Sequence, residues 1–151
     1  MSGKREAGSG KREAGSGRHL PEAVEPEGWA APNGYANGMS ASGRVVVTAG
    51  QVGWDPTTCT FASDDFAAQT TQALRNVVAV LRAGGAEPRH LVRLTWYIRS
   101  RDEYATARRA IGVAYREIVG RHYPAMSVVV VAGLFEEQAK VEIEAMAVVP
   151  T

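Results

Sequence analysis

Four consecutive valines, Val128 to Val131, sit inside SVVVVAGL, an almost wholly apolar segment that follows Pro124 and Met126. Successive side chains of a strand leave opposite faces, so a run of this kind needs apolar cover on both sides of its sheet. Each valine left in water forgoes roughly 1.5 to 3 kcal/mol of burial. A fold that accepts this strand must supply two covering layers.

The remaining elements supply one. GRVVVTAGQV, residues 43 to 52, is β-branched and bounded by glycines, which predicts a strand. NGYANG before it, with two Asn-Gly pairs around Tyr35, predicts tight turns or a short edge hairpin. Ser63 is placed to cap a helix with Asp64 and Asp65 in its first turn. Phe66, Ala73, Leu74, Val77 and Leu81 recur there at helical spacing, Gln69, Gln72, Asn76 and Arg82 fall largely on other faces, and Gly84-Gly85 ends the pattern. HLVRLTWYIRS, residues 90 to 100, alternates as a strand does. Ser100-Arg101-Asp102-Glu103 matches a capping box opening a second helix, whose stripe runs through Tyr104, Ala107, Ile111, Ala114, Tyr115 and Ile118. AKVEIEAMAVV closes the chain with Val141, Ile143, Ala145 and Ala147 opposed to Glu142, Glu144 and Met146. The order gives an α+β fold with one sheet and two helices, and two helices clothe one face. A second copy of the chain is the simplest cover for the other.

With 151 residues, 45% of them hydrophobic, the chain suffices for one sizeable core. The expected division is a disordered leader, 1 to 27, built on a doubled SGKREAG unit, and a domain over 28 to 151. Formal net charge is +1 with basic and acidic residues interspersed, which offers no electrostatic case for nucleic acid. No segment has the apolar length of a membrane span or export signal, so neither is expected. A single cysteine, Cys59, allows no internal disulfide and suits a reducing cytoplasm. His19, His90 and His122 lack metal-ligand spacing, so no metal is expected, and His122 reads as a loop histidine near any cleft mouth.

FAAQTTQALRNVVAVLRAGGA, LVRLTWYI, YPAMSVVVVAGL and KVEIEAMAV, in that order after TAGQV, resemble the RidA/YjgF family of reactive intermediate deaminases over about Trp29 to Pro150. The resemblance implies a chorismate-mutase-like fold, a homotrimer, and a small-molecule cleft between subunits. It also implies hydrolysis of enamines and imines such as 2-aminoacrylate to 2-oxo acids and ammonia, with no metal or organic cofactor. The family's GPY segment falls on Asn33-Gly34-Tyr35, which implies a cleft-lining Tyr35, and its SGQ segment falls on Ala49-Gly50-Gln51, which implies ligand contact at Ala49 and the Gly50 backbone. Glu142 matches the acid that orients the attacking water. Ser127 and Val128 fall in the substrate-binding strand.

One departure matters most. Deaminase-competent members carry PARS where this chain has Pro124-Ala125-Met126-Ser127, and their arginine grips the substrate carboxylate. A lost charged hydrogen bond is worth roughly 1.5 to 3 kcal/mol, on the order of 10- to 100-fold in affinity. Val128 replaces a common cysteine, and the family's helix asparagine has only Gly112 or Arg108 as counterparts. The cleft expected here is greasier, lined by Met126, Val128, Trp54 and nearby Tyr123, and suits an uncharged or aromatic ligand. The leading expectation is a deaminase-like hydrolase for an enamine or imine other than the usual 2-imino acid; the competing one is a non-catalytic small-molecule-binding trimer.

Overall fold

A computed structural model describes residues 18 to 151; residues 1 to 17, with the SGKREAG repeat, lie outside the described region. Within the stretch expected as leader, Glu22–Val24 form strand β1, paired antiparallel with β2, Gly38–Ser40. The domain's ordered pairing thus begins before residue 28.

The main sheet is built from β3 (Arg44–Val47), β4 (Gln51–Val52), β5 (Leu91–Ile98), β6 (Ala125–Val130) and β7 (Val141–Val149). Its order is β3-β7-β5-β6, with β4 also on β7; β5 and β6 are parallel and the other pairs antiparallel. Helix α2, Arg101–Ile118, makes the crossover that a parallel pair requires and therefore runs antiparallel to both strands. Helix α1, Phe66–Ala83, packs beside α2 on the same face of the sheet. The core lies between helices and sheet, where Leu74, Val77 and Leu81 meet Leu94, Ile98, Val141 and Ile143.

The segment expected as one strand over 43 to 52 is two. Thr48 interrupts it: its N–H donates to Ala145 O (2.9 Å) while its Oγ1 accepts from Ala145 N–H (3.0 Å). A side-chain hydroxyl thus stands in for a ladder carbonyl, and the chain turns through Ala49 and Gly50 before β4 resumes. The N-cap of α1 is Asp65 rather than Ser63, since its carboxylate accepts from Ala68 N–H (2.8 Å) and Ser63 Oγ accepts from Asp65 N–H (3.0 Å). Gln69 and Asn76, read as outward-facing, are 1% and 3% exposed. Ser100 caps α2 as expected, accepting from Glu103 N–H (3.2 Å), but the Glu103 carboxylate pairs with Lys140 instead of closing the box.

Register fixes the two faces. Leu94, Trp96 and Ile98 pair with Met126, Val128 and Val130 on one side and with Ala145, Ile143 and Val141 on the other, and these point toward the helices. Arg93, Thr95 and Tyr97, with Ser127, Val129, Glu142, Glu144 and Met146, occupy the uncovered face. Val45 and Val47 join them there, 57% and 60% exposed. The expectation that alternate valines of the 128 to 131 run lack cover understates the case. Because β6 is an edge strand, Val128, Val129 and Val130 are all exposed, whichever face they leave.

Candidate active site

The residues singled out from the sequence fall in two places, on opposite faces of the sheet. The first is a cavity of ≈ 270 Å³ between α2 and β6. Met126 and Val128 form its strand side. Residues four apart on a helix are vertical neighbours, and Tyr104, Arg108, Gly112 and Arg116 form the helix side in that spacing. Asn33 and Gly34 close one end. They are held there because Ala36 N–H donates to Pro124 O (3.0 Å) and Ala36 bridges Ala125, hooking the loop onto the start of β6. Gly34 takes φ +79°, a left-handed turn residue. Tyr35 itself points outward, 43% exposed, and does not line the cavity.

Tyr115 and Tyr123 stack with ring centroids 5.4 Å apart and an interplanar angle of 10°, forming the lower wall. Burial holds the Tyr115 phenol well above its usual range, so it stays a neutral donor, and its hydroxyl bonds His122 O (2.7 Å). His122 Nε2 lies 2.7 Å from Leu91 O. Both contacts give His122 a structural role, and it does not line the cavity. Trp96, 3% exposed, forms the cavity's back, and its Nε1–H has no hydrogen-bond acceptor among the described residues. A buried donor left so costs about 1 to 3 kcal/mol. Trp54, expected in the cleft, instead packs on Phe61 at 6.0 Å and is absent from the lining.

Gly112 has no packing reason within the protomer: a Cβ built there meets nothing within 4 Å. Glycine inside a helix costs roughly 0.5 to 1 kcal/mol relative to alanine, and the space above this turn is open. Neither Arg108 nor Arg116 is in an ion pair among the described residues. The uncharged recess expected from Met126 and Val128 thus has two guanidiniums in its lining, of which Arg116 was not anticipated.

The second place lies on the uncovered face. Glu142 rests over the Gly50 backbone, close enough that a Cβ there would stand 2.6 Å from the carboxylate carbon. Gly50 is thus required by the close approach of this acid, and Ala49 lies beside it at the surface, where its carbonyl accepts from Gln51 Nε2 (3.3 Å). Glu144, two residues on, accepts from Tyr97 Oη–H (2.9 Å). That bond, with burial and the Glu144 charge, raises the Tyr97 phenol above its usual range. Arg99 donates to Glu137 O (2.6 Å) and Ala139 O (3.3 Å) rather than to Glu144. No hydrogen bond engages the Glu142 carboxylate among the described residues. Ser127 lies on this face too, opposite to its neighbours Met126 and Val128.

Residues 27 to 149 match the model of the endoribonuclease L-PSP family, almost the whole described domain. The chain belongs to the RidA/YjgF family. It is 35% identical over 122 residues to a 2-iminobutanoate/2-iminopropanoate deaminase of Salmonella typhimurium, an alignment covering 79% of this chain and 90% of that protein. Among solved structures, a Rid-family protein of unknown function from Yersinia pestis superposes with TM-score 0.75 at 31% identity, covering 87% of this chain and all of that one. The YjgF gene product of Escherichia coli superposes with TM-score 0.63 at 32% identity, over 84% and 98% of the two chains. The α+β fold of two helices on a mixed sheet is therefore that of RidA/YjgF proteins. Among the described residues no three histidine, cysteine or acidic side chains could share a metal ion, and no helix is long and apolar enough to cross a membrane.

Proposed function

We propose that this RidA/YjgF protein is a deaminase-like hydrolase, acting on an enamine or imine other than the small 2-imino acids, in a cleft completed by a neighbouring copy within a homotrimer. The carrying observation is the split site. Met126 pairs through Leu94 with Ala145, and Glu142 lies three residues further along β7. Two strand spacings across and three residues along separate the two by roughly 14 Å, with side chains on opposite faces. No small ligand bridges that distance through a sheet. The α2–β6 recess of one copy set against the Glu142 face of the next would unite them, and would also cover Val45, Val47 and Val129.

In such a cleft Glu142 takes a proton from water as the oxygen bonds to the imine carbon and the C=N electron pair moves to nitrogen, which is protonated. Collapse of the carbinolamine forms C=O, breaks C–N, and releases ammonia. An enamine enters the same sequence after protonation at carbon. This chemistry asks for no cofactor, and the proposed setting is the cytoplasm, where Cys59 remains a thiol. The relative named as an iminobutanoate/iminopropanoate deaminase supports the reaction class, and Met126 argues against the same small substrates.

The test generates imines in situ with an L-amino acid oxidase acting on a panel of aliphatic and aromatic amino acids, in the presence of semicarbazide. Faster loss of imine, read as diminished semicarbazone, is expected with the wild type on bulky members and is abolished in Glu142→Gln. Unchanged semicarbazone across the whole panel would remove the hydrolase reading and leave a binding protein on the same scaffold.

A further inference from the structure

Three features of the α2–β6 pocket converge on one ligand class. Its lining contains two arginines, Arg108 and Arg116, and no acid. The turn between them carries Gly112, above which there is open space. Its walls are aromatic, and one of them, Trp96, holds a buried N–H with no acceptor. We propose that this pocket binds a carboxylate joined to an aromatic or comparably large apolar body, with the carboxylate over Gly112 between the two guanidiniums. The assignment rests on reading the pocket as the ligand half of the cleft proposed above.

Helix geometry sets the placement. Each turn rises about 6 Å over four residues, so Arg108 and Arg116 flank Gly112 by one turn each. Gly112 lines the same cavity as Met126 and Val128. A guanidinium fork matches a carboxylate from either side, and two of them unopposed by any acid exclude a cationic ligand. The cation thus enters the pocket from the helix while the strand contributes a thioether. A two- or three-carbon acid held over Gly112 is too short to fill the aromatic walls as well, whereas a ring extending toward Trp96 packs against them.

The probes are phenylacetate and phenylacetamide, equal in shape and differing in charge, titrated calorimetrically into the full chain. Phenylacetate is expected to bind on the order of 10- to 100-fold more tightly. Arg108→Gln combined with Arg116→Gln should abolish that preference. Gly112→Leu should block both probes while urea unfolding shows an intact fold. Equal affinities for acid and amide, a preference that survives the double substitution, or no binding of either probe would each overturn the proposal. Imine turnover without acid preference would overturn this ligand assignment and leave the hydrolase reading standing; acid preference without turnover of any imine would do the reverse.

Discussion

Replacing Gln69 tests whether the Glu142 strand is held from behind by a single buried amide. Gln69 is 1% exposed, and all its polar atoms are engaged: Nε2 donates to Ser63 O and Gln138 O (both 3.0 Å), and Oε1 accepts from Lys140 N–H (2.8 Å). Lys140 immediately precedes β7. At a net value near 1 kcal/mol per bond, three bonds make Gln69→Leu cost about 3 kcal/mol. Gln69→Glu keeps the shape and the bond from Lys140 but aims a carboxylate oxygen at two carbonyls. Facing them raises the folded-state pKa of the new acid above the unfolded value of about 4.3. Below that pH both states are protonated and the penalty is smallest, since a carboxylic O–H can still donate to one carbonyl. As pH rises through 4.3 the unfolded state ionises first, so the penalty grows until the raised folded value is passed. Urea unfolding at fixed protein concentration, followed by tryptophan fluorescence between pH 4 and 8, gives the difference from wild type at each pH. A Gln69→Glu protein within 1 kcal/mol of wild type at pH 7, with no trend in pH, would refute the reasoning.

Two glycines should respond in opposite ways to alanine. Gly112→Ala meets no atom and is expected to stabilise by about 0.5 to 1 kcal/mol, whereas Gly53→Ala places a Cβ 2.5 Å from Gln69 Cα and should destabilise by more than 2 kcal/mol; thermal melts of both decide. Gly50→Ala should leave stability close to wild type yet displace the Glu142 carboxylate, so any imine hydrolysis falls at least tenfold; a kinetic comparison checks it. Asp65→Ala removes the α1 cap and is expected to cost about 1 kcal/mol in urea unfolding. Burial, with Arg89 adding to it, lowers the His90 pKa, and Nδ1 accepts from Glu87 N–H (3.0 Å), which requires that nitrogen unprotonated. The unfolded chain therefore takes up this proton first. The His90 contribution is intact above pH about 6.5 and is lost as pH falls toward the lowered value, a slope that His90→Asn should flatten.

What could be read from the residue order was whatever depends on local spacing. The α2 stripe from Tyr104 to Ile118, the alternation of β7 and the faces of β5 all follow from periods of 3.6 and 2. The errors came where a distant partner decides. Gln69 and Asn76 look like outer-face polar residues until Lys140, 71 residues away, and the carbonyls of Val52 and Trp54 satisfy them inside. The break at Thr48 depends on Ala145, and the choice of Asp65 over Ser63 as cap depends on one side-chain geometry. Glu142 and Met126 were both picked out, but their placement on opposite faces follows from strand register, which no local pattern encodes. Arg116 lies off the apolar α2 stripe, one turn past Gly112, where spacing from Arg108 and Gly112 is the only local signal of its place in the cavity.

The last strand of the described residues occupies the middle of the sheet. β7 joins β3 and β4 on one side to β5 on the other, so during synthesis its three partners wait without a common neighbour until residues 141 to 149 emerge. Nothing resembling the finished sheet can form before residues 141 to 149 are available, and until then the chain carries its valine edges unpaired. Truncation before Val141 would not trim this protein but leave it without a centre.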